Sequence, residues 1–265
     1  MKQLRYNIPK GYKPWKEIYV DVKRNYQIYK EAHMEKLQPY QYTQELASAF
    51  VQLRWVLEGQ GKLYTITKDL MTAFSNTEVS ETMFEGISWK DSEAFCLLPP
   101  IGSLVSSMKI PIDWIAFSMS DKAVDMDFKF MASGNYRIGD TFFSWAVTWG
   151  IRDGSLVWHD TETFKAKDQE NSRKIRNLVM QILIAQRFHP ELFVQPKYVP
   201  GQGFSGKPKE QSPIIIGANY KLQKKTETGT SKAAHFRRGH YRNQPYGEGR
   251  SQRKLIWIEP VWVGL

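Results

Sequence analysis

The sequence predicts an α+β protein in which a helical N-terminal part packs on a mostly antiparallel sheet. Three observations predict this class: apolar residues at helical spacing in the first third, short aromatic-rich runs in the middle, and one long helical stripe after them. With 265 residues, of which 42% are apolar, the chain can bury a large core, which excludes an intrinsically disordered protein. A basic loop is expected between two C-terminal strands.

The first third predicts helices. Segment 14–37 begins at Pro14 and repeats apolar residues every three or four positions, as in an amphipathic helix. A second helix is predicted over 43–61, where Thr43 can cap the start and glycines end it. Segment 67–87 predicts one or two further short helices.

The middle of the chain predicts a mostly antiparallel sheet. Its strand-like runs are rich in aromatic residues and are separated by Gly, Pro, Asp and Asn, which favour turns. The runs are 94–100, 113–120, 127–132, 141–150 and 155–160.

A long helix is predicted over 169–193, where Ile175, Leu178, Val179, Ile182 and Leu183 form an apolar stripe and Pro190 bounds the end. Residues 194–213 contain several prolines and glycines without apolar periodicity, and they predict a loop. A strand is expected over 214–222 and a closing strand, broken by Pro260, over 254–265. We therefore divide the chain into a core (1–195), a loop or linker (196–213) and a basic C-terminal segment (214–265).

Charge is concentrated near the C-terminus. The chain has a net charge of +10, and residues 221–254 hold ten Lys and Arg against two Glu. A local basic field attracts nucleic acid or an acidic protein. No long apolar run predicts a membrane span or a secretory signal, so a cytoplasmic location is expected. The single Cys96 excludes an internal disulfide, and we expect neither a metal site nor a cofactor.

The segment HFRRGHYRNQPYGEGR, residues 235–250, is the strongest candidate for a functional site. Guanidinium groups match phosphate oxygens, and aromatic faces can stack on unpaired bases, a combination that favours RNA or single-stranded nucleic acid. The predicted nucleic-acid-binding residues are Phe236, Arg237, Arg238, Arg242, Tyr246, Arg250 and Arg253.

Two histidines in this segment also permit catalysis. Cleavage of RNA without a metal needs a base, an acid and cations around the phosphate, and His235 and His240 could exchange the protons. Tyr241 could orient or donate a proton. This predicts a metal-independent endoribonuclease of toxin type. Two alternatives stay open: a non-catalytic nucleic-acid-binding protein, and an interaction module for an acidic partner such as an antitoxin.

The C-terminal segment also resembles a tail found in uncharacterised bacterial and phage proteins that are carried on mobile elements. The matching residues are 235–250, Arg253 and WIEPVWVG at 257–264. The resemblance implies a context of mobile elements, plasmid maintenance or phage defence. RNA-cleaving toxins and nucleic-acid-binding regulators both occur in that context, so the resemblance is compatible with both functions.

Overall fold

The structure is a computed structural model. It describes residues 5–6, 8–21, 23–24, 27, 61–80, 94–106, 109–120, 128–138, 141–153, 155–158, 166–195, 210–211, 213–225 and 235–263.

Two fully described α-helices, a helical N-terminal segment (15–21) and a series of strands form the described part of the chain. The helices are α1 (Lys68–Ser75) and α2 (Ala166–Phe188), with 3-10 turns at Pro190–Leu192 and Glu248–Arg250. In chain order, the strands are β1 (Arg5–Tyr6), β2 (Lys62–Ile66), β3 (Thr77–Glu78), β4 (Ala94–Leu98), β5 (Ile115–Ser120), β6 (Phe128–Ile138), β7 (Thr141–Arg152), β8 (Ser155–Trp158), β9 (Phe193–Val194), β10 (Glu210–Gln211), β11 (Ile214–Ile216), β12 (Lys224–Lys225), β13 (His235–Arg237), β14 (Gly239–Tyr246), β15 (Gln252–Ile258) and β16 (Val261–Val263).

An eight-stranded sheet forms the centre of the fold, with strand order β8-β7-β6-β5-β4-β2-β11-β9. Strands β4 to β8 are antiparallel neighbours, while β2 runs parallel to β4 and β11. The five strand-like runs of the middle segment thus form consecutive neighbours of one sheet. The α+β prediction is confirmed.

Helix α2 packs on one face of this sheet. Its predicted apolar stripe is buried throughout, and it shares one hydrophobic cluster with Phe95, Phe117 and Trp149 of the sheet. The rings of Phe95 and Phe117 lie 4.6 Å apart between centroids. Pro190 follows the end of α2, as expected, because proline cannot continue the helical hydrogen bonds.

The opposite face of the sheet carries a second cluster. Residues 15–21 are helical, and Trp15 and Ile18 pack there against Cys96 and Trp114. Cys96 is fully buried, and this burial raises the pKa of its thiol. The sheet is therefore covered on both faces, by α2 on one side and by the N-terminal segment on the other.

Several predicted elements differ from the structure or lie outside it. Residues 43–60 of the second predicted helix are outside the described residues, as is most of the predicted loop 194–213, so the three-part division stays a prediction. Strand β2 carries five residues that we did not assign to any element. In segment 67–87, α1 is followed by the short strand β3, because Thr77 and Glu78 pair with the C-terminal segment.

The expected loop over the whole basic segment is wrong. Strands β13 and β14 cover residues 235–237 and 239–246 and pair antiparallel with β16 and β15. Only residues 247–251 form a loop between the two C-terminal strands. We call residues 235–246 and 252–263 together the C-terminal ribbon.

Candidate nucleic-acid interface

The C-terminal ribbon keeps a single register along its length. His235 pairs with Val263, His240 pairs with Ile258, and Tyr246 pairs with Gln252, so no residue is inserted in either strand. The ladder is interrupted near Pro260, which has no N–H to donate, and the two parts belong to different three-stranded sheets, β12-β16-β13 and β15-β14-β3. Because side chains alternate along a strand, the register divides β14 and β15 into two faces. The loop at the tip contains Gly247, Gly249 and Arg250 at positive φ.

The inner face of the ribbon joins the core of the protein. Tyr241, Leu255 and Trp257 share the cluster that α2 forms with the sheet. The ring centroid of Trp257 lies 5.4 Å from that of Phe74 and 5.7 Å from that of Tyr220. Its indole Nε1 donates a hydrogen bond to Thr77 Oγ1 at 3.1 Å. Trp257 therefore anchors the ribbon to α1 and β3.

Gly239 brings the ribbon against β3. Its N–H donates to the Asn76 carbonyl at 2.9 Å, and it pairs in parallel with Thr77. A Cβ atom at this position would lie 2.5 Å from Thr77 Oγ1 and 2.7 Å from Pro260 Cδ. The contact thus needs a glycine because of close approach, since residue 239 has no positive φ.

The outer face of the ribbon is exposed and basic. We define it by the residues of β14 and β15 that alternate with the anchoring ones, together with Arg238: they are Arg238, His240, Arg242, Gln244, Tyr246, Gln252, Lys254, Ile256 and Ile258. Arg238, His240 and Arg242 are all exposed, and Tyr246 keeps 47% of its surface. The guanidinium Nη2 of Arg242 donates to Gln244 Oε1 at 2.6 Å, which holds it along the strand.

One acidic residue borders this surface. Glu78 pairs with His240 across the parallel β3–β14 ladder, and it is exposed. Paired residues of neighbouring strands share a face, so Glu78 belongs to the same side of the sheet as His240. It flanks His240 on the side opposite Ile258.

The two predicted catalytic histidines lie in different strands. His235 is in β13, which pairs with β16, and His240 is in β14, which pairs with β15 in a different sheet. Tyr241 is on the inner face, where burial raises the pKa of its phenol. His240 shares the outer face with Arg242, whereas Tyr241 is on the opposite face of β14.

The remaining predicted contacts are divided between the faces and the tip. Phe236 is half-buried in β13, and Arg250 is exposed in the tip loop. Arg237 of β13 and Arg253 on the inner-face side of β15 are exposed, and neither belongs to the outer face. Sequence reasoning missed Lys254, Gln244 and the two isoleucines of the outer face. The signal that could have found them is the two-residue spacing of Arg238, His240 and Arg242, which is typical of one face of a strand.

The described residues contain neither a cluster of metal-ligating side chains nor a helix that could cross a membrane. No group of three or more His, Cys, Asp or Glu side chains in this part of the chain is arranged to hold a metal ion. No described helix has both the length and the apolar character needed to cross a membrane.

Comparison with known proteins identifies the family. No curated protein and no solved structure matches the chain significantly. A model of the AcrVA2-like family, described as the anti-CRISPR type V subtype A2 family, matches residues 64–265, about three quarters of the chain. The match includes the central sheet from β2 onward, α2 and the entire C-terminal ribbon. It confirms the context of phage defence that the tail implied. The chain therefore belongs to the AcrVA2-like family of anti-CRISPR proteins.

Proposed function

We propose that this protein opposes a type V CRISPR system as a nucleic-acid-directed protein, with RNA as the favoured ligand, and that the outer face of the ribbon is its contact surface. The observation that carries the proposal is the row formed by Arg238, which immediately precedes β14, and by His240 and Arg242 on one face of β14; all three residues are exposed. The ribbon and its loop, residues 235–263, contain six Lys and Arg against two Glu. Such a field attracts phosphate groups.

The family supplies the setting for this ligand. The effector complexes of CRISPR systems carry a guide RNA, whose backbone the effector protein itself reads by shape and charge. A basic, projecting ribbon can contact such an RNA or the nucleic acid bound to it. The partner in this proposal is therefore a CRISPR effector complex, approached through its RNA. An acidic partner protein, the alternative from the sequence, would use the same cations.

Binding accounts for the geometry better than catalysis does. Tyr241, one of the three predicted catalytic residues, packs on the inner face of β14, away from the outer face that carries His240. One observation keeps an endoribonuclease as the second candidate: His240 lies between Arg238 and Arg242 along the chain, and all three residues are exposed. An imidazole in that position can exchange a proton at neutral pH while the arginines hold the phosphate.

The test uses cells in which a type V CRISPR system restricts a plasmid or a phage. The Arg238→Gln, Arg242→Gln double variant removes two charges from the outer face. We expect this variant to lose most of its ability to protect the plasmid or phage from the CRISPR system. The matched control is the Arg237→Gln, Arg253→Gln double variant, which removes the same charge from exposed positions that do not belong to the outer face. Full protection by the outer-face variant, at equal protein level, would contradict the proposal.

A second experiment separates binding from cleavage. The purified protein is incubated with labelled RNA and excess chelator, beside His240→Ala and Arg242→Gln variants. Under the binding proposal RNA stays intact and His240→Ala binds with little change. Chelator-resistant cleavage that His240→Ala abolishes would instead establish the second candidate.

A further inference from the structure

The outer face of the ribbon is divided lengthwise into two rows of different chemistry. Arg238, just before β14, and His240 and Arg242 of β14 form the basic row. Strand β15 contributes the apolar row, Ile256 and Ile258, both half-buried. The register sets Ile258 opposite His240 and Ile256 opposite Arg242. Directly paired residues lie about 4.5–5.5 Å apart, so the two rows run side by side along the face.

This pairing of rows matches the two sides of a single nucleic-acid strand. A single strand presents its phosphates along one edge and its unpaired bases along the other, and bases bind to apolar and aromatic side chains. A duplex keeps its bases stacked inside and presents phosphates on both edges, so the apolar row would have no base to contact. We propose that the outer face binds a single strand lengthwise, with phosphates along the basic row and bases along the apolar row.

The length of the surface sets the size of the ligand. Successive outer-face residues of one strand are about 6.6–6.8 Å apart, since a strand rises about 3.3–3.4 Å per residue. From Arg238 to Tyr246 the surface therefore extends over roughly 27 Å. An extended strand of about four nucleotides covers that length, which is the lower end of the range for single-strand-binding folds. Tyr246, at the far end, offers a ring on which a base can stack.

Glu78 limits how a nucleic acid can approach. It flanks His240 on the side away from the apolar row. A phosphate backbone placed over β3 would meet this carboxylate, whereas one placed between the rows would avoid it. The charge distribution across the three strands thus favours a narrow ligand on β14 and β15 and disfavours a wide duplex that spans all three.

The inference rests on the proposed function, and the experiment separates the two. A short labelled poly-U RNA and the same strand annealed to its complement are titrated with the protein at low salt, and binding is followed by fluorescence anisotropy. We expect the single strand to bind at least about tenfold more tightly than the duplex. Tyr246→Ala should weaken single-strand binding by about tenfold, the loss of one base-stacking contact, with little effect on the duplex.

The apolar row is tested by an Ile256→Thr, Ile258→Thr double variant, which keeps β-branched side chains and therefore strand preference. We expect several-fold weaker binding of the single strand, with an unchanged salt dependence, because no charge is removed. Thermal melting checks the fold, and Tyr246→Ala, at an exposed position, provides the test if the isoleucine variant unfolds.

Three results would overturn the proposals in different ways. Equal or tighter binding of the duplex would refute the single-strand inference while leaving the outer face as a nucleic-acid surface. Unchanged single-strand binding by folded Tyr246→Ala protein would refute the assigned position of the bases. Absence of binding to any nucleic acid would refute the inference and the proposed function together.

Discussion

Replacing Arg238 and Arg242 by glutamine should reduce the salt dependence of nucleic-acid binding by a calculable amount. The basic row holds two permanent cations, Arg238 and Arg242. Each phosphate that a cation neutralises on a single strand contributes about −0.7 to the slope of log affinity against log salt. Two contacts give a slope of about −1.4, so affinity falls about sevenfold between 50 and 200 mM salt. The double variant keeps neither contact, and its affinity should change little over this range.

The assay is fluorescence anisotropy with a labelled single-stranded RNA over this salt range, at one fixed pH. The Arg237→Gln, Arg253→Gln variant has the same net charge as the outer-face variant, so it controls for the general field of the protein. We expect it to keep the slope of the original protein. Equal slopes for the two double variants would refute the reasoning, because the position of the charge on a particular face would then be irrelevant.

Three further predictions concern the anchoring of the ribbon and its surroundings. Gly239→Ala should lower the free energy of unfolding by about 1–3 kcal/mol, measured by urea denaturation, because its Cβ would overlap Thr77 Oγ1. Glu78→Gln should strengthen RNA binding at low salt, since it removes the one carboxylate that flanks His240; unchanged affinity would place the phosphates elsewhere. The buried phenol of Tyr241 has a raised pKa, so its contribution to stability is complete below the unfolded value of about 10 and is lost as pH rises above it. Above that pH, the denaturation midpoint of the Tyr241→Phe variant should therefore decrease less with rising pH than that of the original protein. An equal decrease in both proteins would contradict the burial of the phenol.

The elements that sequence predicted well are those whose own periodicity decides their structure. The stripe from Ile175 to Leu183 fits only a helix, and all five of its residues are buried on the sheet. The aromatic runs of the middle segment are bounded by turn residues. Strands that follow each other in the sequence are therefore paired neighbours in the sheet. Strand β2 was missed because it is a short buried run between two segments with helical character, and its partners β4 and β11 are distant in sequence.

The strands of the basic segment could not be predicted from its own pattern. The basic segment lacks the usual alternation of polar and apolar residues, because in β14 the inner face is filled mainly by Tyr241 while most of the buried apolar surface comes from β15. Pairing with residues 252–263, which are distant in the local pattern, forms β13 and β14 and assigns His235 and His240 to different strands.

The alternation of anchoring and exposed residues in the ribbon has a consequence for how this family can change. Substitutions on the outer face leave the anchoring contacts of Trp257, Thr77 and Gly239 unchanged. The binding surface can therefore change with its target without destabilising the fold. Insertion or deletion of a single residue in either strand would act differently, because it moves every following side chain to the opposite face. We therefore expect relatives to keep the length of both ribbon strands constant.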